Sequence, residues 1–180
     1  MGKTTFAKQL AEKLPNSKII ELNDVVDQYK IFSKIDKMGS KVVKLKELDK
    51  KMHEIMAEDS KKSNLIIVGH LVPEIKLKED LTVVLRLSLK ELIKRLEARK
   101  YEKDKIKENI VSESVDYCGT KAKEAGNKTY ELETDSEKKE MIDYIVSKAA
   151  GTPTKEPETK EISRFDELLE LVTTENKYGL

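Results

Sequence analysis

Four residues at the start of the chain, Gly2-Lys3-Thr4-Thr5, have the types and the order that hold phosphate. They match the end of the pattern G-x-x-x-x-G-K-[ST], in which backbone N–H groups and a helix N-terminus cradle phosphate oxygens. There the lysine reaches the β- and γ-phosphates and the next hydroxyl holds Mg²⁺, tasks that fall here to Lys3 and Thr4. The glycine-rich front of the pattern and the strand that feeds it do not precede Gly2. A tetrapeptide this short also arises by chance, so its weight depends on what else the chain offers.

Arginine usage is the second signal. Of the 35 Lys and Arg residues only Arg86, Arg95, Arg99 and Arg164 are arginine, and three of these fall between "LTVVLRL" and "EARKY". Where lysine is the default cation, arginine is expected where a planar, bidentate donor matters, as on phosphate. Arg95 and Arg99 are four apart and share a helix face, although Arg95 is equally well placed for a surface pair with Glu91. His70 reads as a hydrogen-bonded residue at a strand end, His53 as a solvated one and Cys118 as a core thiol with no chemistry of its own.

The elements that must position these residues alternate. "TTFAKQLAEKL" has helical spacing and stops at Pro15-Asn16; "KIIEL" is a short strand, with Asn23-Asp24 placed to cap the next helix. "LKELDKKMHEIM" is helical, and "NLIIVGHL" and "LTVVLRL" are continuous apolar runs, the pattern of strands buried on both faces. Ser88-x-x-Glu91 reads as a capping box, and one long charged helix is expected from about Lys103 to Ala125. "KTYEL" and "SEKKEMIDYIVSKAA" add a last strand and a core helix. Strands alternating with helices predict an α/β domain over residues 1–150, with a parallel sheet flanked by helices. Residues 151–162 read as a linker and 163–174 as an amphipathic tail helix. Its stripe of Phe165, Leu168, Leu169 and Val172 suits either packing on the domain or binding a partner.

Composition bounds the rest. A formal net charge of +1 over 180 residues gives no global field for DNA or an anionic membrane. One cysteine excludes an intramolecular disulfide framework, and no apolar run is long enough to span a bilayer. A cytoplasmic protein is expected.

From "GKTTFAKQLAEKL" through "LIIVGHL", "VVLRLSLKELIKRLEARKYEKDKIKENIVSE" and "KTYELETD", the chain resembles the nuclear-type (isoenzyme 6) adenylate kinases and their archaeal relatives. The resemblance implies a P-loop kinase core, with a nucleoside-monophosphate-binding region at about 21–45 and a short lid at about 98–108. It implies that Gly2, Lys3, Thr4 and Thr5 contact the phosphates of ATP, with Mg²⁺ on Thr4. Arg99 would be the lid arginine, while Arg95 and Arg86 stand as phosphate candidates on arginine usage alone. His70 would be the histidine of the acid-x-His motif; the acid of that motif is missing, and either Asp24 or a phosphate-bridging water would stand in for it. The chain departs from the pattern at three internal points. Val68 stands where relatives carry an acid that helps hold Mg²⁺, Lys100 replaces the lid glycine, and the tail beyond Gly151 lies outside the core pattern. The central first strand is also absent, which would leave the runs at Leu65 and Thr82 without a shared neighbour; a start assigned too late is the expected explanation. Three readings compete. The chain is an adenylate kinase with ATPase activity (ATP and AMP to two ADP), linked to small ribosomal subunit maturation. Or it is an assembly factor that binds a small-subunit ribosomal protein and uses ATP as a switch. Or it is a remnant that no longer binds nucleotide.

Overall fold

The computed structural model describes residues 2–36, 39–174 and 177–180. In chain order the first elements are α1 (Lys3–Lys13), β1 (Ser17–Glu21), α2 (Leu22–Gln28), β2 (Phe32–Ile35), β3 (Lys41–Val43), α3 (Leu45–Asp59) and β4 (Asn64–Val68). After a short 3-10 turn at Val72–Glu74 come β5 (Thr82–Leu85), α4 (Leu89–Ala98), α5 (Lys103–Ser114), α6 (Tyr117–Glu124), β6 (Thr129–Leu132), α7 (Asp135–Ala149) and α8 (Phe165–Thr174). The chain divides into two compact units, one of Gly2–Asp80 and Thr134–Glu158, the other of Leu81–Glu133 and Thr159–Leu180.

The first unit is built on a parallel pair, β1 with β4, in register from Ser17↔Asn64 to Glu21↔Val68. Helix α1 lies against this pair because Phe6, Ala7, Leu10 and Leu14 recur at helical spacing and are all buried. The antiparallel hairpin β2–β3 and helices α2 and α3 close a second apolar face around Leu22, Val26, Leu48 and Met52. Leu48 and Met52 are fully buried, and each such side chain contributes about 1.5–3 kcal/mol relative to exposure. Asn23-Asp24 does not cap α2: the N-cap is Glu21, and Asp24 stands in the first turn. Helix α7 opens on a complete capping box, Thr134 Oγ1 accepting from the Glu137 N–H while the Glu137 carboxylate accepts from the Thr134 N–H. It is tied to α1 by Lys13 and Asp143, 2.8 Å apart.

The second unit has its own parallel pair, β5 with β6, in register from Thr82↔Thr129 to Leu85↔Leu132. The architecture is therefore α/β with parallel strands flanked by helices, as the sequence predicts. The two long apolar runs lie in different pairs: among the described residues β4 pairs with β1 and β5 with β6. Leu89, Leu92 and Leu96 of α4 meet Ile106 and Ile110 of α5 in one cluster. Ser88 caps α4 through the Glu91 N–H, but the Glu91 carboxylate bonds Arg95, so this is half a capping box.

Two further expectations change here. The long charged helix is two, α5 and α6, broken at Val115-Asp116. Asp116 takes a left-handed backbone (φ 49°) and its carboxylate accepts from the Gly119 N–H, so it starts a new helix instead of continuing the old one. On α8, Leu168 and Leu171 face the apolar cluster of the unit, while Phe165 and Leu169 are 65 % and 52 % exposed. Leu168 alone of the expected stripe packs inward beside Leu171; the helix is rotated by its polar anchors, Glu167 accepting from the Leu89 N–H and Arg164 reaching Glu133 and Glu167.

Candidate functional site

The phosphate-type tetrapeptide sits at the N-terminus of α1, and Gly2, Lys3, Thr4 and Thr5 are all exposed. Gly2 is the N-cap in the left-handed region (φ 90°), a conformation glycine adopts without steric cost, and its carbonyl accepts the first helical bond from the Phe6 N–H. The apolar face of α1 is buried in the unit, so the first-turn N–H groups point outward at a fixed place. A helix N-terminus presented this way favours negative charge.

One contact ties this turn to the sheet. The Thr4 hydroxyl donates to Glu21 Oε1 at 2.8 Å across 17 residues of sequence. Glu21 ends β1 and is in register with Val68, the buried end of β4. Thr4, Glu21 and Val68 thus meet at the C-terminal edge of a parallel pair, where open α/β sheets bind ligands. Gly69 follows directly, and a β-carbon there would stand 2.9 Å from the Leu22 side chain, so only glycine lets the chain leave β4 against α2. His70 comes next and is exposed, as is Asp24 one turn into α2. The monophosphate-binding region expected at 21–45 corresponds to the end of β1, α2 and the β2–β3 hairpin; Lys37 and Met38 within it lie outside the described residues.

The arginines belong to the second unit. Arg99 is the exposed C-cap of α4. Arg95 is paired with Glu91 at 2.6 Å, and the hydrogen bond from Arg95 holds the Glu91 carboxyl below its ordinary range. Arg86, expected on phosphate, is 2 % exposed and spends its donors on Glu113 (2.7 Å), Asp116 (2.5 Å) and Glu131 (2.7 Å). Lys123 adds a second cation at Glu131, 2.8 Å away. Burial alone would lower the Arg86 pKa, but the bond to Glu113 and the three carboxylates outweigh it and the net shift is upward. Asp116 is pushed up, chiefly by desolvation, against the opposing pull of Arg86. Arg86 therefore pins β5 to β6 and to the α5–α6 corner, a structural task that its guanidinium geometry suits as well as it suits phosphate.

At the turn where a lid is expected, the sequence departs from glycine but the backbone does not. Lys100 has φ 57°, donates to the Glu97 carbonyl at 2.8 Å, and Tyr101 donates to the Leu96 carbonyl at 3.2 Å. These are the two bonds of a Schellman motif with lysine in the left-handed position. The same motif ends α7 with a glycine, Gly151 (φ 69°). Arg99 is thereby held at a sharp turn between α4 and α5.

Glu21 and the carboxylates around Arg86 belong to no motif visible in the sequence. The signal was present in both cases: a charged residue inside "KIIEL" or "KTYEL" sits among strand positions and needs a partner.

Among the described residues no group of three or more His, Cys, Asp or Glu side chains forms a self-sufficient metal site, and no helix is long and apolar enough to cross a membrane. A family model described as an AAA domain matches residues 1–116. The chain is 33 % identical over 148 residues to a protein of Methanocaldococcus jannaschii named "Putative adenylate kinase", covering 81 % of this chain and 78 % of that one. A protein of the same name from Methanosarcina acetivorans is 34 % identical over 158 residues, covering 81 % and 83 %. One from Methanococcus maripaludis is 28 % identical over 177 residues, covering 96 % and 94 %.

Proposed function

We propose that this chain, which belongs to the P-loop AAA-domain family together with the archaeal proteins named "Putative adenylate kinase", transfers the γ-phosphoryl group of ATP to AMP. The observation that carries this reading is the exposed Gly2-Lys3-Thr4-Thr5 turn, set at the N-terminus of α1 beside the C-terminal edge of β1 and β4. Gly2 leaves room for phosphate to approach the first-turn N–H groups, and Lys3 neutralises charge on the β- and γ-phosphates. The Thr4 hydroxyl, its proton held by the Glu21 carboxylate, offers oxygen lone pairs of the kind that suit a hard cation. Mg²⁺, when bound with the nucleotide, neutralises the developing charge of the transferred group. Residues 21–45 take the monophosphate, and Arg99, at the turn between α4 and α5, is the candidate lid arginine. His70 and Asp24 flank the sheet edge as polar groups able to orient the acceptor. Catalysis on this reading is positioning and charge neutralisation, with no covalent intermediate on the protein.

Lys3→Ala tests it. The substitution removes an exposed side chain, so the fold should be unchanged by circular dichroism, while ADP formation from ATP and AMP should fall on the order of 10²-fold or more. Undiminished turnover by the folded variant contradicts the assignment. A second role, in small ribosomal subunit maturation, is carried over from the resemblance alone; Phe165, Leu169 and Val172 leave an apolar stripe on α8 uncovered among the described residues, a surface suited to a protein partner. Loss of a ribosomal-protein complex on Phe165→Asp, with kinase activity retained, is the result that role requires.

A further inference from the structure

In P-loop enzymes the threonine after the lysine works with an acid from a neighbouring strand end, the pair serving the metal that accompanies the nucleotide. The strand end nearest in this role is β4, and its last residue is Val68, buried and without a polar atom to offer. The acid that does reach Thr4 comes from the other strand of the pair. Glu21 ends β1 directly beside Val68 in register, and its Oε1 accepts the Thr4 hydroxyl at 2.8 Å. We propose that Glu21 is the positioning residue of this site, replacing from β1 the carboxylate that β4 lacks. This rests on the phosphoryl-transfer reading above.

The hydrogen bond has a direction that matters. Thr4 donates its one hydroxyl proton to Glu21, so the lone pairs of Oγ1 face away from the carboxylate and are free to meet a cation. Glu21 therefore acts on the ligand and not as the ligand, the way outer carboxylates orient the groups that hold a metal. Its place is set by backbone register, because the last residue of β1 must lie beside the last residue of β4. Asp24 is exposed in the first turn of α2, past the end of β1. An exchange of the acid between adjacent strands keeps a negative charge at the same sheet edge while leaving β4 apolar.

The test is calorimetric titration with ATP, in the presence and absence of Mg²⁺, on the whole protein. The readout is the ratio of the two affinities, which is independent of turnover. The parent is expected to bind more tightly with Mg²⁺, and Glu21→Ala to reduce that ratio about 10- to 100-fold. The double variant Glu21→Ala/Val68→Asp is expected to recover it, since the carboxylate returns to the adjacent register position. Thermal melts of each variant establish that it is folded. A Glu21→Ala variant with the parent's ratio overturns the proposal, and so does a loss that Val68→Asp fails to reverse. A parent whose ATP affinity is indifferent to Mg²⁺ overturns the phosphoryl-transfer reading itself.

Discussion

Replacing Lys100 by glycine is expected to make the protein more stable. Lys100 closes α4 in the left-handed region (φ 57°), where an L-residue's β-carbon crowds the following carbonyl at a cost of about 1–2 kcal/mol. Glycine removes that cost but returns roughly 0.4–1 kcal/mol through the greater freedom of the unfolded chain. The Lys100 side chain is exposed, so little packing is lost, and the net gain is about 0.5–1 kcal/mol. For a chain of 180 residues this corresponds to a rise in melting temperature of about 1–4 °C. Gly151→Lys is the matched control, since Gly151 occupies the same position of the same motif at the end of α7. It should lower the melting temperature by a similar amount. Thermal unfolding followed by circular dichroism, with urea midpoints at unchanged m-value, reads both effects. A Lys100→Gly protein that melts at or below the parent temperature would show that Lys100 carries no net left-handed strain.

Other substitutions carry definite signs. Arg86→Met leaves Glu113, Asp116 and Glu131 facing one another without their shared cation, and urea denaturation should show a loss of about 3–5 kcal/mol; a loss under about 1 kcal/mol contradicts the structural task assigned to Arg86. Gly119→Ala places a β-carbon 2.4 Å from Asp116 Oδ1, so a change that ordinarily stabilises a helix by up to about 1 kcal/mol should cost about 1–3 kcal/mol, and a measured gain speaks against the Asp116 geometry. The hydrogen bond from Lys13 lowers the Asp143 pKa below the ordinary 3.8, so its stabilising effect is present above that value and fades as pH falls through the depressed one. Lys13→Met should move the Asp143 carboxyl back up in an NMR titration, and an unmoved resonance would show that α1 and α7 are not bridged there.

The periodic parts of the chain were legible because their periods are physical. Phe6, Ala7, Leu10 and Leu14 can share a face only on a helix, and "NLIIV" and "TVVL" are too short and apolar to be surface helices. What escaped was decided by contacts distant in sequence. The break between α5 and α6 depends on Asp116, whose carboxylate is engaged by Arg86, 30 residues earlier, as well as by the local Gly119 N–H. The facing of α8 depends on Arg164 and Glu167, which bond Glu133 and the Leu89 N–H. Arginine scarcity marked Arg86 as a special donor, but rarity does not say whether the acceptors are phosphates or carboxylates; only the fold brings Glu113, Asp116 and Glu131 to it. Lys100 is the converse: the residue type departs from glycine, yet the turn keeps the glycine conformation because two backbone bonds at the end of α4 hold it.

The function proposed for this P-loop protein is the movement of a phosphoryl group between nucleotides. Phosphorus NMR of the protein with Mg²⁺, ATP and AMP tests it in one experiment, because transfer and hydrolysis leave different products. Transfer yields two ADP for each ATP consumed, with no inorganic phosphate and no reaction when AMP is left out. ATP lost to ADP and inorganic phosphate at a rate indifferent to AMP, or no conversion at all, would rule out transfer to AMP.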